Sequence, residues 1–152
     1  MKTMRSLVFS TLVVLVALSA ACAQTVASPA LVDPNTATEQ QLAALPGLDA
    51  AKAGAVIAGR PYATPTALDA VLAAQGLTSE QRTAVYGKSF VRIDLNTATD
   101  ADMMLIPGLG PKMLHEFKEY RPYKAIAQFR REIGKYVDEK EVARLEGYVR
   151  VD

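Results

Sequence analysis

The residues best placed to do chemistry lie in Leu105-Ile106-Pro107-Gly108-Leu109-Gly110-Pro111-Lys112. Pro107 should end a helix, because the residue before a proline is pushed out of the α region. Gly108 and Gly110 can adopt backbone angles that other residues resist. Pro111 suits a first helical turn, where its missing N–H is no loss. Leu109 is then an apolar plug between the glycines. This order predicts a tight hairpin whose backbone N–H groups, those of Gly108, Leu109 and Gly110, face outward at a helix N-terminus. Such a nest binds an anion, and a phosphate oxygen fits it. Lys112 adds a point charge beside it.

Other chemistry finds no constellation. His115 is the only histidine, and no Cys/His cluster offers a zinc site. No Ser/His/Asp set can be assembled around it, and no Walker loop is present. Most carboxylates fall at helix-capping positions. The expectation is a protein that is not an enzyme and carries no cofactor and no metal.

The elements that must position the hairpin come twice. Asp33-Pro34-Asn35-Thr36-Ala37-Thr38 matches Asp94-Leu95-Asn96-Thr97-Ala98-Thr99, a shift of 61 residues. The same shift aligns Pro46-Gly47-Leu48 with Pro107-Gly108-Leu109, and Arg60-Pro61-Tyr62 with Arg121-Pro122-Tyr123. Val91-Arg92-Ile93-Asp94 echoes Val149-Arg150-Val151-Asp152 at a shift of 58, which predicts a second copy about three residues shorter near its end. These blocks predict two tandem modules, 31–92 and 94–152.

Each module reads as four short helices, so the fold class is all-α. Thr38-Glu39-Gln40-Gln41 and Thr78-Ser79-Glu80-Gln81 are capping boxes, and Thr64-Pro65 opens the helix between them. In the second module Thr99 and Asp138 take the capping positions. Met113, Phe117 and Tyr120 form one helical stripe, and Ile126, Phe129 and Ile133 another; both read as core. The closing Val-Arg-apolar-Asp runs are too short to assign as strands.

The apolar-Pro-Gly-apolar-Gly-Pro-Lys core, with its Asp94–Thr99 and Arg121–Tyr123 flanks, resembles the ComEA-like helix-hairpin-helix family, exported DNA-uptake receptors of competent bacteria. The resemblance covers nearly all of the chain after the leader. It implies a SAM/HhH-like helical domain that binds double-stranded DNA through phosphates, without reading base edges. Under it Gly108, Leu109, Gly110 and Lys112 hold the phosphate, and Lys118, Arg121 and Lys124 supply surrounding charge. The four hairpin positions differ. Gly108-Leu109-Gly110 keeps the pattern but has Leu114 where the family favours a small residue. Gly47-Leu48-Asp49 has a carboxylate in place of the second glycine, which would repel a phosphate. Gly76-Leu77-Thr78 retains one glycine, and around Ile133-Gly134-Lys135 the pattern is gone.

Charge weighs against that implication. A 1–23 leader, with Lys2 and Arg5 before an apolar run and Ala21-Cys22-Ala23 before Gln24, reads as a secretory signal peptide. The alternative is a lipoprotein anchored at Cys22. Either predicts an exported protein of the periplasm or cell envelope. Of 17 basic residues the leader takes two, leaving 15 against 16 acidic. A dedicated nucleic-acid binder is usually clearly basic. Basic residues do gather between Lys112 and Lys135, where seven face Glu116, Glu119 and Glu132. Two functions therefore stand side by side: sequence-independent binding of double-stranded DNA, and a non-catalytic interaction with an envelope protein partner.

Overall fold

The computed structural model describes residues 30–152; the expected leader, its cleavage point and Cys22 lie outside them. The described chain is all-helical apart from one two-residue strand pair. No described helix is long and apolar enough to cross a membrane.

The first repeat carries α1 (Glu39–Ala43), α2 (Ala50–Ala58), α3 (Pro65–Ala74) and α4 (Ser79–Tyr86). The second carries α5 (Asp100–Met104), α6 (Pro111–Glu119), α7 (Ile126–Ile133) and α8 (Glu139–Glu146). Side chains start most of them. Thr38, Thr78 and Thr99 each accept from the backbone three residues on, in reciprocal capping boxes, and Asp49, Thr64 and Asp138 cap α2, α3 and α8. These bonds satisfy amide groups that a helix cannot pair internally.

The helix starts keep the 61-residue shift through α7, while α8 starts 60 residues after α4. The second repeat is therefore one residue shorter at this point, not three. The strands explain the difference. Val149–Arg150 (β2) pairs in parallel with Ile93–Asp94 (β1), with Ile93 opposite Val149. In the first repeat Val32 bridges Ser89 in the same sense. Ile93-Asp94 thus opens the second repeat, whereas Val149-Arg150 closes it. The two Val-Arg echoes are not equivalent positions.

The repeated sequence blocks meet as one structural device. The Asn35 side chain accepts from the Tyr62 N–H at 2.7 Å and donates to the Tyr62 carbonyl at 3.0 Å; Asn96 does the same with Tyr123 at the same distances. Arg60 donates to the Pro34 and Ala37 carbonyls, each at 2.6 Å. The Arg-Pro peptide is cis in both repeats.

A single core runs through both repeats. Phe90, 1% exposed, stacks edge-on against Tyr86 and against Tyr148, with ring centroids 5.8 and 5.0 Å away. Such edge contacts add to the area that burial removes from water. Arg92 Nε donates to the Gly147 carbonyl at 3.0 Å. Asp102 completes the joint: one oxygen caps its own helix at Thr99, and the other accepts from the Thr66 hydroxyl at 2.8 Å and the Thr66 N–H at 3.3 Å.

Candidate anion site at the start of α6

The turn between α5 and α6 is built by two residues with different tasks. Gly108 has φ +78°, in the left-handed region that an L side chain rarely adopts. Leu109 then points into the core, 6% exposed. Gly110, the N-cap of α6, has φ −89° and ψ 170°, which any residue adopts, and a Cβ there would meet nothing within 4 Å. Conformational freedom is therefore required at Gly108 only.

The importance of Gly110 lies in the side chain it lacks. At the matching position of the first repeat, Asp49 accepts from the Lys52 N–H at 2.9 Å and from Lys52 Nζ at 2.6 Å. Those bonds hold the Asp49 carboxyl below its usual range, so it stays charged. A carboxylate already occupies the start of α2. The start of α6 has no side-chain cap.

The open amides differ from those expected. The Leu109 N–H donates to the Ile106 carbonyl at 3.0 Å, as the Leu48 N–H does to Leu45 at 3.1 Å, so it is not available to a ligand. Gly108, Gly110, Lys112 and Met113 donate their backbone N–H to no acceptor among the described residues. The last two lie in the first turn of α6, where the helix dipole adds positive potential.

The expected cations do not gather around this nest. Lys112 is exposed and has no ion-pair partner among the described residues. Lys118 is paired with Asp100 at 2.8 Å. Arg121 is half-buried and donates through Nη2 to the Ala98 carbonyl at 2.9 Å, the bond Arg60 makes to Ala37. Its place in the repeat is structural, which corrects its assignment to phosphate binding. Lys124 is exposed, but it follows the far end of α6, with ~13 Å of helix between it and the nest.

Sequence spacing missed one cation. Arg144, on α8, places Nη2 3.5 Å from the Cβ position of Gly108. Its guanidinium is held on Glu141 by bonds of 2.7 and 2.6 Å and lies 5.7 Å from the Tyr148 ring centroid. The i,i+3 spacing signals the pairing with Glu141, and nothing in it signals the proximity to the turn.

The helix pair also differs between repeats. Ala53, fully buried, lets α2 lie close along α1. Leu114 takes that position in α6, remains partly exposed, and α5 and α6 share a smaller contact. Among the described residues no group of His, Cys, Asp or Glu is arranged to hold a metal ion.

Fold and site together define an all-helical protein with one uncapped, glycine-opened turn. No family model, curated protein or solved structure matches the chain.

Proposed function

We propose that this protein is an exported, ComEA-like binder of double-stranded DNA, built from two tandem helix-hairpin-helix modules (31–92 and 94–152), only the second of which engages the duplex. The observation that carries the reading is the contrast between Asp49 and Gly110. The repeat that keeps Asp49 fills its own helix start with a carboxylate; the repeat with Gly110 leaves amides open beside Lys112. The N–H groups of Gly108, Gly110 and the first turn of α6 would hold a phosphate oxygen, and Lys112 would supply the charge. With one nest, affinity would be modest and its dependence on salt shallow.

A second reading has its own observation. Lys118 and Arg121 are engaged within the fold, so less free charge surrounds the turn than the sequence promised. That favours an envelope interaction module that keeps the fold and binds a protein partner instead.

Titration of a labelled duplex across a salt series, with Gly110→Asp alongside, separates the two. Salt-sensitive binding that Gly110→Asp removes, in a folded variant, supports the DNA reading. No binding at low salt would sink it.

A further inference from the structure

The two repeats treat the same buried polar atoms differently. In the first, Arg60 Nε donates to the Pro34 carbonyl at 2.6 Å, and the Tyr62 hydroxyl donates to the Val56 carbonyl at 2.7 Å. In the second, the matching atoms, Arg121 Nε and Tyr123 Oη, are buried with no hydrogen-bond partner. The cause is visible for the tyrosine. A Cβ built at Gly59 would collide with the Tyr62 hydroxyl, and the residue at that position in the second repeat is Tyr120. The route used by Tyr62 is closed to Tyr123.

Where the second repeat loses two acceptors it gains one. Ala55 is replaced by Glu116, whose side chain is 7% exposed and whose Oε2 is also buried without a partner. Tyr123 lies in the field of both new neighbours: burial first, and the Glu116 charge among others, push its hydroxyl up to about 12, while the Arg121 charge opposes them. The inventory is two unmatched donors and one unmatched anionic acceptor. Buried groups of this kind are rarely left unpaired.

We infer that Arg121 Nε, Tyr123 Oη and Glu116 Oε2 form one hydrated polar site, closed by an internal water that accepts from Arg121 and Tyr123 and donates to Glu116. Three hydrogen bonds are the usual complement of a buried water. The site ties the middle of α6 to the Arg-Pro-Tyr segment. It fixes the helix that carries the open turn, where Leu114 has loosened its packing on α5. Glu116 is here a positioning residue, and the inference holds whether or not the turn binds DNA.

The test is a double-mutant cycle on the full chain, read by urea unfolding, with Glu116→Ala and Tyr123→Phe. Glu116→Ala restores the residue of the first repeat, and Tyr123→Phe removes one oxygen. The expected result is that Glu116→Ala lowers the folding constant by at least about threefold more in the native background than in Tyr123→Phe. A water contact to the Tyr123 hydroxyl proton should accompany it in rotating-frame NMR spectra. Additive effects would overturn the inference. So would coupling without the water contact, because the side chains would then meet directly.

Discussion

Asp49 and Gly110 hold the same position in the two repeats, the N-cap of a nine-residue helix, with similar extended backbones. One donates nothing and receives two bonds from Lys52; the other contributes no atom beyond its backbone. Gly110→Asp should therefore stabilise the fold and weaken anion binding at once. The expected gain is about 0.3–1 kcal/mol from the new cap and its charge at the helix start. Thermal melts and duplex titration of one variant check both signs.

Gly108 should respond in the opposite way to its neighbour. With φ +78°, Gly108→Ala forces a Cβ into the left-handed region and should cost about 1–2 kcal/mol. Gly110→Ala meets neither strain nor a neighbour and should cost clearly less. Urea unfolding of the pair decides this.

Lys112 and Arg121 should separate binding from stability. Lys112→Ala should leave the melting temperature unchanged and reduce the salt slope of duplex binding by about one. Arg121→Lys should lower stability by about 1 kcal/mol, through loss of the bond to Ala98, with little change in that slope. Equal loss of binding in both would show that Arg121 also reaches the ligand.

Asp102 makes the joint between repeats sensitive to acid. Burial pushes its carboxyl up, but the Thr99 and Thr66 bonds outweigh that and hold it below its usual value near 3.8. A depressed folded value means a contribution present above the unfolded value and lost as pH falls through the folded one. The loss should thus come below about pH 4. Asp102→Asn should cost about 1–3 kcal/mol at neutral pH and flatten the acid limb of a stability–pH curve.

Phe90 tests whether the repeats unfold as one. Its ring is buried against Tyr86 of the first repeat and Tyr148 of the second. Phe90→Ala should cost about 3–5 kcal/mol. Tyrosine fluorescence and circular dichroism should still report one transition; two separated transitions would show that the core is divisible.

Much of the architecture was legible in the chain. Local chemistry determined the helices: Thr38, Thr78 and Thr99 announce their caps, Pro107 and Gly108 the break, and the 61-residue register the repetition, because capping and turn preferences act within a few residues. Tertiary structure alone decided what the same residues do to one another. Asn96 and Arg121 lie 25 residues apart and serve one clamp; Thr66 and Asp102 join the repeats; Arg144 comes to rest beside Gly108. Such contacts depend on how helices pack, which no spacing along the chain encodes. The site was likewise half visible. The glycines and Lys112 could be read directly, but the engagement of the Leu109 amide, Lys118 and Arg121 depended on carbonyls and a carboxylate that folding brings within reach.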